Sequence, residues 1–375
     1  MEMNKLIRLS KSVLNNEEIE AVSKVLKNEY LGMGKQVLNF ENELNAFFNS
    51  KTVCVNSGTA AIQLALQAVG VERGDEVLVQ SLTYLATYQA ISALGAIPVS
   101  CDILSDSFTI DLKDAKTKIT SKTKVILPVH YASNPGNLDE IYEFANTYDL
   151  RVVEDAAHAF GSLYKKNIIG SIGDVVCFSF DGIKNITSGE GGAVVTKNKE
   201  VIDYIKDARL LGIENDSSKR YENKRSWDFD VKNQGWRYHM SDIMASIGRI
   251  QLKKFPVFKD KRQKLSNLYL NKLSNIKNII LIKLDYTIIV PHIFVIRITN
   301  GYRDSIRNQL LDEGIQTGLH YKPNHLLSFY KTNFSLPNTE KLYSEILTLP
   351  LHPDLDYSDV DFISKTIISL LKNCD

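Results

Sequence analysis

The sequence predicts an α/β fold: a large domain with a mostly parallel, doubly wound sheet flanked by helices, then a smaller C-terminal α+β domain. Three observations carry that expectation. Short β-branched runs alternate with amphipathic stretches from about residue 50 to residue 200, the pattern of βαβ units. The runs lack a polar/apolar alternation, as in Val175-Val176-Cys177-Phe178-Ser179-Phe180, so their strands are expected to be buried on both faces. The chain has 375 residues, enough for one large and one small domain with a sizeable core.

The expected strands of the large domain are Thr52–Val55, Glu76–Gln80, Ile97–Asp102, Val125–His130, Arg151–Glu154, Val175–Phe180 and Gly192–Thr196. Helical periodicity covers Thr59–Val69, Leu85–Leu94 and Leu138–Tyr148 between them. A further helix is expected from Met240 to about Leu252, opened by Ser241 and Asp242 and closed by Pro256. The domain change is placed there, giving a large domain over residues 1–254, with an N-terminal arm over 1–30, and a small domain over 255–375. The last third is expected to hold strands at Ile279–Ile282 and His292–Ile298 and helices at Arg303–Glu313 and Ser358–Leu371. The polar stretch Gly212–Asp230 reads as a long, mobile loop.

Composition narrows the function. Apolar residues make up 44% and charged residues 24%, and the net charge is +1, so nothing draws the chain globally toward nucleic acid. No apolar run reaches the length of a membrane span, so no membrane partner is expected. The opening MEMNKLIRLSKS has no apolar signal core. Cys54, Cys101, Cys177 and Cys374 stand far apart without a CxxC pair, which argues against a disulfide framework. A cytoplasmic protein is the expectation.

Three motifs carry chemistry. Asn56-Ser57-Gly58-Thr59 follows a strand and opens a helix. Ser57 can cap that helix, Gly58 admits a close approach, and the free N–H groups favour a phosphate. Such a turn also serves as a plain helix cap, so alone it decides nothing. No GxGxxG follows the first strand and no P-loop occurs. In Val152-Val153-Glu154-Asp155-Ala156-Ala157-His158, an apolar strand ends in two carboxylates and a histidine, where open α/β sheets bind ligands. A carboxylate there can keep a pyridine nitrogen protonated; a helix cap or a metal ligand is the other reading. In Phe178-Ser179-Phe180-Asp181-Gly182-Ile183-Lys184, a lysine lies just past a buried strand, before the glycine-rich Gly189-Glu190-Gly191-Gly192. Desolvation there would make its amine nucleophilic. Phosphate turn, acid and lysine in this order are what a pyridoxal phosphate site needs.

Jointly these motifs resemble the DegT/DnrJ/StrS family of sugar aminotransferases, within the fold type I pyridoxal phosphate enzymes. The likeness runs from Leu31-Gly32-Met33-Gly34 and Ser81-Leu82-Thr83-Tyr84 through Pro128-Val129-His130 and Met240-Ser241-Asp242 to His320-Tyr321 and Leu349-Pro350-Leu351-His352-Pro353. The resemblance implies that Lys184 links to the cofactor and shuttles the proton, that Asp155 pairs with the pyridine nitrogen, and that Tyr84 stacks on the ring. It implies that Ser57, Gly58, Thr59 and Ser179 bind phosphate and that His158 lies near the ring. Where the family commonly has an Asn that reaches the phosphate across a homodimer, this chain has Arg237, in Gly235-Trp236-Arg237-Tyr238-His239. Asp181-Gly182-Ile183 replaces the family's aromatic/His-Pro-Thr. Leu31, Met33, Tyr84, Asp181, His320, Tyr321 and His325 are the expected sugar pocket; the three near residues 320–325 also read as polar residues at the domain seam. The implied reaction is amination of a nucleotide-linked keto sugar by glutamate, the cofactor passing through its pyridoxamine phosphate form. The favoured sugar is dTDP-4-keto-6-deoxyglucose; a 3-keto isomer, UDP or GDP linkage, or a non-catalytic binder are the alternatives. Deoxygenating relatives carry His in place of the lysine, so Lys184 argues against that chemistry.

Overall fold

The computed structural model describes residues 6–372; Cys374 lies outside them. Seven strands form the main sheet: β1 (Lys51–Val55), β2 (Glu76–Gln80), β3 (Ile97–Cys101), β4 (Thr123–Leu127), β5 (Arg151–Asp155), β6 (Val175–Ser179) and β7 (Gly192–Thr196), in the order β1-β7-β6-β5-β4-β2-β3. Neighbours from β3 to β6 pair in parallel. β7 runs antiparallel to both β6 and β1, so it is the one reversed strand. Every residue of β6 and β7 is buried, as the unbroken apolar runs require. A second, antiparallel sheet joins β8 (Ile279–Leu281), β9 (Phe294–Ile298) and β10 (Ile346–Leu349). Among the described residues no helix is long and apolar enough to cross a membrane.

Strand periodicity decides what reaches the site. Val176, Phe178 and Phe180 enter one core, while Val175 and Cys177 enter the core on the opposite face. Side chains alternate along a strand, so Ser179 falls on the second face, with helix α1 (Gly58–Ala68). The same alternation puts Val153 and Asp155 of β5 on that face and Val152 and Glu154 on the other. Glu154 there accepts from the Tyr142 hydroxyl at 2.7 Å and lies 3.0 Å from His130 Nε2.

Two expectations fail. Pro256 does not end its helix: α2 (Asp242–Leu273) continues through it. A proline inside a helix removes one hydrogen bond at a cost of about 3 kcal/mol. Burial of Phe255, Phe258, Leu265, Tyr269 and Leu273 along the same helix outweighs that. Secondly, Gly212–Asp230 is not all loop. Asp216–Tyr221 is helical, with Asp216 and Ser217 buried. Arg209 holds it: this wholly buried guanidinium binds Ser217 and Tyr221 together with Glu41 and the Cys54 carbonyl. The N-terminal segment reaches the far end of the chain, where Ile7 bridges Ile315 and Leu351 N donates to Leu9 O.

Candidate active site

A cleft of about 430 Å³ opens at the carboxyl ends of β1, β2, β4, β5 and β6, the place where such sheets bind ligands. It brings together Ser57, Gly58, Thr59, Tyr84, Asp155, His158, Ser179, Asp181, Lys184, His320 and Tyr321. Four other expected site residues stand elsewhere. Met33 is 1% exposed in the hydrophobic core, so as a pocket residue it is corrected. His325 lies buried outside the cleft, its ring 2.7 Å from Ser81 Oγ and 3.2 Å from Glu340. Leu31 is exposed and does not line the cleft. Arg237 is exposed too, on a segment anchored by the Leu210–Arg237 and Val55–His239 bridges.

At one end, Ser57 caps α1 by accepting from Ala60 N at 3.1 Å. A Cβ on Gly58 would lie 2.8 Å from Ser179 Cβ, and one on Gly192 would lie 2.4 Å from Ser57 O. Both positions therefore demand glycine, and the crowding brings Ser179 against the helix N-terminus. First-turn N–H groups and the two hydroxyls make an anion cradle.

Deeper in, Asp155 Oδ2 accepts from Thr87 Oγ1 at 2.7 Å and Oδ1 accepts from Ala157 N at 3.1 Å. Thr83 Oγ1 stands 2.9 Å from Thr87 Oγ1 and extends the chain. Opposite lies Lys184. Part of its side chain faces the open cleft, yet protein packs deeply around the amine. Burial pushes that amine down to about 8, against the opposing pull of Asp155 and Asp181. Among the described residues its hydrogen-bond contact is His292 Nε2, at 3.5 Å.

Neutral imidazoles surround the lysine. Burial, then the Lys184 charge, push His158 and His292 well below the usual histidine range and His320 down to about 4. His158 Nε2 pairs with the Tyr321 hydroxyl at 3.0 Å, and its ring lies 4.5 Å from that of His292. Tyr84, 60% exposed, stands 5.4 Å from the Tyr321 ring at the cleft's open side.

The residues fit pyridoxal phosphate. An anion cradle, a buried carboxylate and a desolvated amine converge on one cleft, and the glycines leave room where a Cβ would intrude. Sequence reasoning missed Thr87, Tyr131, Glu190 and His292, which also line it. Thr87 sits one helical turn beyond Tyr84, a spacing that could have flagged it. His292 lies distant in sequence and carries no comparable signal.

This constellation on a reversed-β7 parallel sheet defines a pyridoxal phosphate-dependent aminotransferase. The model of the DegT/DnrJ/EryC1/StrS aminotransferase family matches residues 12–368. The chain is 37% identical to the uncharacterized protein MJ1066 of Methanocaldococcus jannaschii, covering 92% of this chain and 93% of that one. It is 33% identical to the spore coat polysaccharide biosynthesis protein SpsC of Bacillus subtilis, covering 99% of each. The PLP form of Spr1654 from Streptococcus pneumoniae superposes with a TM-score of 0.89 at 31% identity, over 98% of this chain and 99% of that one. Spr1654 is also solved in a PMP form, with the same TM-score of 0.89. The chain belongs to the DegT/DnrJ/EryC1/StrS aminotransferase family, whose members are pyridoxal phosphate-dependent sugar aminotransferases. It is an enzyme, a transaminase that uses pyridoxal phosphate.

Proposed function

We propose that the enzyme moves an amino group from glutamate to a nucleotide-linked keto-deoxy sugar, converting dTDP-4-keto-6-deoxyglucose to dTDP-4-amino-4,6-dideoxyglucose. The observation that carries the catalytic part is the Lys184 amine, desolvated and facing the Asp155 side of a cleft that ends in the Ser57–Thr59 helix turn.

When bound, pyridoxal phosphate supplies a carbonyl that takes up and surrenders the amino group and a ring that accepts the electrons released at the donor's Cα. Ser57, Gly58, Thr59 and Ser179 would hold its phosphate. Asp155, oriented by Thr87, would keep the ring nitrogen protonated through a charge-assisted hydrogen bond. With the cofactor bound, Lys184 Nζ would carry the proton from the donor's Cα to the cofactor's exocyclic carbon in one half-reaction and from that carbon to the sugar carbon that receives the amine in the other, and an amine lowered to about 8 by burial suits both directions. Tyr84 would pack on the ring from the open side of the cleft, and the paired His158 and Tyr321 would bound it elsewhere.

Asp181, His320 and Tyr321 line the part of the cleft assigned to the sugar. A homodimer would complete the reading: Arg237 is exposed and does not line its own cleft, which suits the proposed role of serving the phosphate site of a partner subunit. We place the enzyme in the cytoplasm, where nucleotide sugars are made. The test is to incubate the protein and glutamate with a panel of keto sugar nucleotides and locate the new amine by NMR. Amination at C4 of the dTDP sugar supports the assignment; amination only at C3, or only of another nucleotide sugar, overturns it.

A further inference from the structure

His292 comes from the second sheet's side of the cleft, just before β9, and is held on every side. Its backbone N–H donates to Ser133 Oγ at 3.0 Å, and its carbonyl accepts from Arg262 Nη1 at 3.2 Å. The ring is 4% exposed and packs against His158 at 54°. Nδ1 is buried with no partner. An unpaired buried nitrogen is costly, and an apolar side chain would fill the space without that cost. What the imidazole offers in return is Nε2, which faces Lys184 Nζ.

The surroundings fix which way that contact works. The charged and titratable groups facing His292 are Lys184, His158, Arg262 and His320, with no carboxylate among them. An imidazolium there would meet two cations, and the cleft carboxylates Asp155 and Asp181 make no hydrogen bond to it among the described residues. A neutral imidazole opposite an ammonium must present a lone pair at Nε2 and carry its proton on Nδ1. Lys184 in turn faces Asp155 and Asp181 through space and makes no hydrogen bond to either among the described residues. The carboxylates attract its charge, and His292 supplies a directed acceptor.

We propose that His292 is the positioning residue of Lys184, a fixed neutral acceptor that holds the ammonium by one hydrogen bond between proton transfers. It rests on the reading of Lys184 as the proton-carrying amine. It does not depend on which sugar is aminated. Accepting from the ammonium favours the charged form, so losing the acceptor should lower the lysine's titration midpoint.

The test uses the full-length protein loaded with pyridoxamine phosphate, in which the Lys184 amine is free. Carbamylation of Lys184 by cyanate, followed by peptide mass spectrometry from about pH 6 to 10, reports that midpoint. In His292→Gln the carboxamide oxygen can occupy the place of Nε2. In His292→Asn it reaches only the place of Nδ1. The Gln variant is expected to keep the wild-type midpoint and most of the turnover. The Asn variant is expected to lower the midpoint by about one pH unit and kcat about tenfold, with KM changed less than about twofold. Wild-type midpoints in both variants, or equal shifts in both, overturn the proposal. The midpoint requires no sugar substrate, so a wrong sugar assignment would show itself separately in the NMR panel.

Discussion

Thr87 Oγ1 donates to Asp155 Oδ2 across 2.7 Å, and both side chains are buried at the floor of the cleft. One carboxylate oxygen is thereby fixed by a helix that also carries Tyr84 at its start, so the proposed roles of Tyr84 and Asp155 toward the cofactor ring rest on a single support. Thr87→Val keeps the shape and removes the hydroxyl. A hydrogen bond to a charged group contributes about 1.5–3 kcal/mol, so kcat should fall about ten- to a hundredfold. Asp155→Ala should fall further, because the ring nitrogen then loses its partner altogether. Steady-state kinetics check both, and a Thr87→Val enzyme with wild-type kcat would show that the threonine plays no part in orienting the acid.

Gly58 has no space for a side chain, since a Cβ would sit 2.8 Å from Ser179 Cβ. Gly58→Ala should push Ser179 away from the helix N-terminus. Overpacking of this kind costs about 1–3 kcal/mol, and here it falls on the phosphate cradle. We expect pyridoxal phosphate to bind about ten- to a hundredfold more weakly, measured by titrating the cofactor-free variant. Unaltered affinity would mean that the cradle lies elsewhere.

The three cleft histidines predict an acid-sensitive fold. In the unfolded chain each titrates near the ordinary histidine value of 6.5, whereas in the folded chain burial holds His158 and His292 well below that and His320 down to about 4. Between these limits the unfolded state binds more protons. Their contribution is therefore fully present above about pH 6.5 and is lost as pH falls, at about 1.4 kcal/mol per pH unit for each histidine still neutral. The melting temperature of cofactor-free protein should drop from pH 6.5 toward 4.5, and His320→Gln should flatten part of that slope. A melting temperature constant over the window would refute the assignment of neutral imidazoles.

The main sheet was legible because its strands are short apolar runs between helical periods, and their ends differ from the expected spans by at most three residues, by one at Lys51–Val55 and Arg151–Asp155 and by three at the end of Thr123–Leu127. The reversal of β7 was not, because Gly192–Thr196 is buried throughout and a buried strand reads alike in either direction. Strand Ile346–Leu349 also escaped notice, in a four-residue run that joins directly to a helix. Pro256 misled because local propensity was overridden by tertiary burial along the same helix. Asp155 ends a strand, Ser57 caps a helix and Lys184 follows the end of β6 in the next turn, so the places of these three along the chain are local features that a sequence displays. Met33 was misplaced because a motif position does not reveal which way a side chain points. His292 was invisible because it approaches from the other sheet, more than a hundred residues beyond Lys184 in the chain.

Whether the amine at position 184 does the chemistry is decided by Lys184→Ala. In this variant, reconstituted with pyridoxal phosphate, the visible absorbance that arises when the lysine engages the cofactor should vanish and glutamate-dependent amination should fall below detection. A variant that keeps both the wild-type spectrum and the wild-type rate would rule out Lys184 as the reacting amine.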